Sequence, residues 1–433
     1  MNEFKNKVLN LAHGREHTAL TLNFIKWIML GSLVGLVVGP LSGLFLWSLQ
    51  FVTDKRAQYP WLLYLLPIGG ALVSFLYIKF GKTSSQGNNL ILEQIYKGDG
   101  EVPLRMAPLV FLGTVITHLF GGSAGREGTA VQMGGSIAEF IGKIFKVDKA
   151  DRRLLLMCGI SSGFSSVFGT PLAGTIFGME VVAIGHMHYE ALIPCFTASF
   201  VGNLVATYLG AKHSHYAFNG VPDMTLLVTV KVVISSILFG IISIVFSEMV
   251  HSLKRIFSKY FKSGMVKSFV GGVIIIILTY IAGTRDYLGL GTPMIMESFK
   301  TVVSPFAFLW KLIFTAITLG AGFQGGEVTP LFFIGSTFGN SISSIINLSP
   351  SFLAGLGLIA VFCGATNAPI SSFVLGLELF GGQGMIYIFM TCVISYLFSG
   401  HYGIYTSQLI GVTKSKILQI PKGTTVGSIK SKK

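Results

Sequence analysis

With 433 residues, 51% of them hydrophobic and only 12% charged, the chain has too few charges to cover a soluble surface of its size. The formal charge of +14 would suit a nucleic-acid binder. The basic residues, however, fall where loops and tails belong, which excludes that partner and points to a lipid bilayer.

In chain order, the stretch before Trp27 is polar and mixed in charge. It lacks a basic region running into a short apolar core and a small-residue cleavage site, so no cleaved signal peptide is expected. From Trp27 to Val52 there is no Asp, Glu, Lys or Arg, enough to cross a hydrocarbon core of about 30 Å as a helix. Gly31, Gly35, Gly39 and Gly43 recur along it at every fourth residue and make a smooth ridge for close helix packing. Trp61 to Ile78, Leu192 to Leu209, Phe269 to Thr284, Pro350 to Leu377 and Gly384 to Ser399 are similar in character. Their unequal lengths, and 53 glycines, argue against a simple bundle of spanning helices.

Lys5, Lys7, Arg15 and Lys26 precede the first span, and Lys414, Lys416, Lys422, Lys430, Lys432 and Lys433 follow the last. The positive-inside rule then predicts that both termini are cytoplasmic. The basic runs Lys143 to Arg153 and Lys254 to Lys267 leave the intermediate topology open. Residues 412–433 read as a short basic tail with no room for a cytosolic regulatory domain, so 1–433 is expected to be one transmembrane domain. Cys158, Cys195, Cys363 and Cys392 are scattered singly in apolar segments as small core hydrophobes, and no metal or other cofactor is expected. His186 with His188, and His213 with His215, read as solvated loop pairs.

Two stretches match in order. Gly125-Arg126-Glu127-Gly128-Thr129 returns as Gly325-Gly326-Glu327-Val328-Thr329, and Gly135-Ser136 as Gly335-Ser336. Both halves then reach a proline followed at one spacing by a glutamate, Pro171 to Glu180 and Pro369 to Glu378. This predicts two homologous halves, about 22–215 and 224–405. Short Gly-interrupted segments at matching positions mark where transporters built of repeats bind substrate.

A carboxylate in hydrocarbon costs several kcal/mol, which makes Glu127 and Glu327 functional candidates. Each stands among glycines just before an apolar segment, close to a predicted helix N-terminus where unpaired N–H groups favour an anion. Such a carboxylate is a tethered anion that protonation releases, a physical route to coupling proton and anion movement. The alternative, that both are satisfied helix caps, stays open. Gly122 to Thr129 lacks the Lys of a phosphate loop and is apolar, which excludes nucleotide binding.

At this point the residues resemble a known family. Gly125 to Thr129 with Val131-Gln132-Met133-Gly134-Gly135 is similar to the gating-glutamate segment of CLC anion transporters and channels. Gly163 to Glu180, with Pro171-Leu172-Ala173-Gly174, resembles the helix that follows it. Gly325 to Pro330 resembles the second-half anion-binding segment, and Tyr405 falls at the position of the central tyrosine. The resemblance implies an all-α integral membrane protein, an inverted-repeat helical bundle with broken and re-entrant helices, and a homodimer with one anion pathway per subunit.

The departures narrow the branch. Where chloride members carry a Gly-Ser-Gly-Ile-Pro loop, this chain has Gly87-Asn88-Asn89-Leu90-Ile91; Thr129 replaces a proline; Glu327 and Thr329 replace apolar residues; and Glu180 is followed by Val181 rather than by a second carboxylate. These features resemble the fluoride/proton antiporter branch. The resemblance implies that fluoride and protons are the transported partners, that Glu127 is the gating glutamate and Glu327 a helper acid, and that the anion meets Asn88, Gly125, Gly128, Thr129, Val328, Thr329 and Tyr405. By itself Asn88 is equally well read as a turn former, and Tyr405 as an interfacial aromatic. The runner-up is a chloride/proton antiporter or anion channel of the same family. An intramembrane enzyme would need a nucleophile–base or metal constellation, and none recurs in the apolar segments.

Overall fold

The structure, a computed structural model, describes residues 2–433 except 215, 418, 419, 422 and 431–433, with the side chains of 2–15 and 430 also outside the description. The expectations for Lys5, Lys7, Arg15, His215, Lys422, Lys430, Lys432 and Lys433 therefore lie outside the described residues or side chains.

Helix α1 (Asn2–Gln58) contains the first apolar span, and α2 (Leu66–Leu76) follows a tight turn over Pro60–Leu65. Next come α3 (Asn88–Lys97), α4 (Met106–Leu119), α5 (Glu127–Ile144), α6 (Lys149–Phe168), α7 (Pro171–Glu180) and α8 (Leu192–Tyr208). Two long helices, α9 (Leu226–Tyr260) and α10 (Gly264–Ala282), lead through α11 (Thr292–Ser298) to a second run: α12 (Ala307–Gly320), α13 (Val328–Ile346), α14 (Pro350–Thr366), α15 (Pro369–Phe380) and α16 (Met385–Phe398). The short α17 (Val426–Lys430) comes last. Among the described residues 5 helical stretches are long and apolar enough to cross a membrane: Glu16–Gln58, Pro60–Gln86, Tyr189–Tyr208, Leu226–Tyr260 and Gly264–Ala282. By contrast α4 and α12 have 14 residues each, a length of about 21 Å, short of a core of about 30 Å.

One expected span is broken. Pro350 to Leu377 forms two helices rather than one, because Asn367 takes a left-handed conformation with φ 56° that ends α14. Pro369, which has no N–H to give, then opens α15. A two-residue parallel ladder, Ala183–Ile184 (β1) on Leu409–Ile410 (β2), interrupts the helical architecture and ties the end of α7 to the loop after Tyr405.

In lipid there is little hydrophobic force between helices, so close backbone approach and dispersion must hold them. The glycine ridge of α1 does this against α8, where a Cβ on Gly35 would lie 2.8 Å from Gly202 N and one on Gly39 2.7 Å from Gly202 O. Two further crossings use paired glycines. A Cβ on Gly134 of α5 would sit 2.1 Å from Gly159 O of α6, and one on Gly335 of α13 2.2 Å from Gly357 O of α14. Between the two runs Phe168 meets Phe332 at 5.1 Å and Phe164 meets Phe362 at 6.2 Å.

The two proline-to-glutamate helices exchange caps. Glu180, at the end of α7, accepts from Ile370 N at 3.1 Å and Ser371 N at 2.8 Å at the start of α15. Glu378, near the end of α15, accepts from Leu172 N at 2.9 Å and Ala173 N at 2.8 Å at the start of α7. Each carboxylate satisfies two orphan donors of the partner helix and complements its dipole.

Candidate functional site

The Gly-x-Glu segments meet in the protein interior. Gly125 N donates to Gly326 O at 2.6 Å and Gly326 N to Gly125 O at 2.8 Å, an antiparallel bridge that brings the starts of α5 and α13 together. Glycine is required there: a Cβ on Gly125 would stand 2.9 Å from Gly326 O and 3.0 Å from Glu127 Oε2.

Glu127, 1% exposed, opens α5, but its carboxylate serves α13. Oε2 accepts from Thr329 N at 3.1 Å and Oε1 from Thr329 Oγ1 at 2.5 Å. Arg126 N also donates to Oε2 at 3.1 Å, and Arg126 Nε lies 3.4 Å from Oε1. The side chain thus lies on the first turn of a helix that is not its own, where orphan N–H groups and the dipole hold an anion. Val328 and Thr329, both buried, form that turn.

Glu327, the matching residue of the second segment, behaves otherwise. It occupies the N-cap position of α13 without making a side-chain cap bond. Its carboxylate lines a cavity of about 850 Å³ together with Asn88, Gln132, Lys254, Lys267 and Tyr405. Its Oε2 lies 3.7 Å from the Cβ position of Gly128, and Asn88 Nδ2 lies 3.0 Å from the same point. Asn88 is the first residue of α3, held there by Gly87 with φ 60°. A second cavity of about 580 Å³ is lined by Arg56, Arg126 and Arg285, with Asp286 and Glu297. Both cavities carry more cations than acids, a field that draws anions toward the buried segments.

Of the residues singled out from sequence, the structure therefore brings Gly125, Glu127, Gly128, Glu327, Val328 and Thr329 together. Asn88 and Tyr405 stand on the adjoining cavity. Thr129 differs: its hydroxyl is bonded to Thr114 Oγ1 at 2.7 Å, and it lines neither cavity. Sequence reasoning missed the cationic linings, whose members come from distant segments and share no motif. It also passed over the cap exchange of Glu180 and Glu378, although their equal spacing after proline was visible. Among the described residues no cluster of His, Cys, Asp and Glu could hold a metal ion.

Residues 69–400 match the family described as voltage gated chloride channel. The chain belongs to this family, the CLC proteins. A Pseudomonas syringae pv. tomato protein called chloride/fluoride channel protein is 44% identical to this CLC chain over 395 residues, 90% of this chain and 87% of the relative. A crystal structure of a CLC-type fluoride/proton antiporter superposes with a TM-score of 0.86 at 33% identity, covering 89% of this chain and 98% of that one. An H+/Cl− exchange transporter of Vibrio cholerae is more distant, 23% identical over 425 residues that cover 90% of this chain and 91% of its own. The fold is that of the family: a nearly all-helical membrane protein of inverted-repeat CLC type, with broken and re-entrant helices.

Proposed function

We propose that this CLC protein is a fluoride/proton antiporter that exports cytoplasmic fluoride, driven by protons moving inward. The observation that carries the reading is the Glu127 carboxylate seated on the Thr329 amide and hydroxyl, with its neighbour Arg126 lining one cation-rich cavity and Glu327 lining the other. An anionic side chain there excludes a free anion from the same donors, and protonation removes the charge that holds it, so anion passage follows proton uptake. HF crosses membranes as a neutral acid and ionises inside, so acid surroundings both load a cell with fluoride and supply the protons that expel it.

In this reading Glu127 is the gate and Glu327 a helper acid facing the adjoining cavity. Asn88, Gly125, Gly128, Val328, Thr329 and Tyr405 surround the anion path, and Thr129 acts through Thr114. The fluoride branch is supported by Asn88 in place of a serine, by Val181 after Glu180, and by the two relatives above whose names include fluoride. The protein would sit in the cell membrane as a homodimer, each subunit one domain of two halves, 22–215 and 224–405, with both termini cytoplasmic. A second reading, an anion channel, rests on the name of the Pseudomonas relative. Parallel fluoride and chloride efflux from proteoliposomes, with internal pH followed, separates them. Uphill fluoride movement on an imposed proton gradient supports the antiporter, and fluoride flux without proton counterflow supports the channel.

A further inference from the structure

The corner of the larger cavity where α3 crosses α5 holds two side-chain amides that reach past each other. Asn88, at the start of α3, lays its Nδ2 against Gly128 of α5, 3.0 Å from where a Cβ would stand. Gln132, on the second turn of α5, lays its amide against Gly87 at the start of α3, with Nε2 3.3 Å from the Cβ position there. The backbone favours glycine at both points, since Gly87 has φ 60° and a Cβ on Gly128 would stand 3.1 Å from Gly326 Cα. Both amides also share a defect: Asn88 Oδ1 and Gln132 Oε1 are buried with no hydrogen-bond partner.

A buried polar atom left unpaired costs about 1–3 kcal/mol, and an apolar side chain of the same shape avoids that cost. Two such acceptors in one corner, from segments distant in sequence, want a donor as they stand, and they meet an anion only when each amide turns its N–H2 toward the corner. A primary amide suits a site that changes its occupant, since a half-turn about its last bond exchanges the carbonyl acceptor for an N–H2 donor. The corner lies at the mouth of the buried segments, with Glu327 Oε2 3.7 Å from the same point on Gly128 that Asn88 Nδ2 faces.

We propose that Gln132 is, with Asn88, one of a crossed pair of amide donors that binds the transported anion beside Glu327 and sets its preference for a small, strongly hydrated ion. The inference rests on the fluoride/proton reading. Fluoride surrenders tightly held water only where compact donors replace it at short range, whereas chloride needs less compensation and gains less from two N–H2 groups. One amide supplies a donor from a single side; a crossed pair supplies donors from two helices and fixes the width between them.

The test compares parent, Gln132→Met and Gln132→Glu in proteoliposomes, measuring initial fluoride and chloride efflux against anion concentration, with internal pH recorded. Loss of a hydrogen bond to an ion should raise the half-saturating fluoride concentration about tenfold or more. It should leave maximal turnover less affected and narrow the fluoride-to-chloride ratio. Gln132→Asn, which keeps the amide on a shorter stem, should recover part of the preference. Unchanged half-saturation and ratio in Gln132→Met overturn the proposal. So does a change confined to the proton-to-fluoride ratio, which would assign the amide to Glu327 rather than to the anion. If Gln132→Met does not assemble, the near-isosteric Gln132→Glu decides by the same readouts. A parent that moves no fluoride overturns the transport reading itself, and is thereby told apart from failure of the amide pair.

Discussion

Replacing Glu127 by Gln keeps the shape of the side chain and removes its charge at every pH. Three hydrogen bonds reach the carboxylate, from Thr329 N, Thr329 Oγ1 and Arg126 N. Bonds to an ionised acceptor contribute about 1 kcal/mol more than bonds between neutral groups. The amide is therefore held more weakly by about 3 kcal/mol, roughly a hundredfold in the ratio of docked to released side chain. Under the proposed function two consequences separate. Fluoride displaces the side chain from α13 more readily, so passive fluoride flux persists, while no proton is exchanged and uphill transport stops. A fluoride electrode outside the vesicles and a pH dye inside record both from one preparation. If Glu127→Gln still drives fluoride uphill on a proton gradient at the parent's rate, Glu127 is not the gate and its seat on α13 is structural.

Glu327→Gln should slow coupled exchange, since Glu327 is the carboxylate lining the larger cavity and makes no cap bond that the change could disturb; unimpaired exchange in the same vesicle assay returns it to a packing role. Asn88→Ser shortens the side chain that meets Gly128 and should lower the fluoride-to-chloride flux ratio; an unchanged ratio moves selectivity away from this loop. Glu180→Ala leaves the N–H groups of Ile370 and Ser371 without their charged acceptor, a loss of about 3 kcal/mol or more. It should lower the thermal midpoint in detergent by more than Glu378→Ala, whose carboxylate is less buried, and equal midpoints would refute that ordering.

Much of the membrane architecture was legible because its signals are local. Uncharged runs mark α1 and α8, and the glycine ridge of α1 anticipates its contact with α8. The break at Asn367 was harder to see. Pro350 to Leu377 is uniformly apolar, and only the Asn-Ala-Pro triplet inside it hints that the backbone turns there. The paired segments at Glu127 and Glu327 were found by their repetition, yet repetition predicts equivalence, and the two carboxylates have different surroundings. Thr129 likewise followed from alignment with the family motif. Its hydroxyl instead goes to Thr114 on α4, a partner that no pattern in the sequence connects to it.

The same device, a carboxylate laid on the N-terminus of a helix from the other half, is used at two places with different symmetry. At α7 and α15 it is reciprocal: Glu180 and Glu378 each take two backbone N–H groups, and neither helix start is left to another anion. At α5 and α13 it runs one way. Glu127 takes the Thr329 donors, but Glu327 does not return the contact to α5; it faces the cavity, while Asn88 closes on Gly128. A reciprocal pair must break both arms to open, so its cost protects it as a fixed joint. In a one-sided pair a single protonation releases the single arm, with a second carboxylate close by in the cavity. The difference between these two arrangements, more than the burial of any one acid, sets Glu127 apart from Glu180, and under the proposed function it is the Glu127–Thr329 contact that moves with the proton.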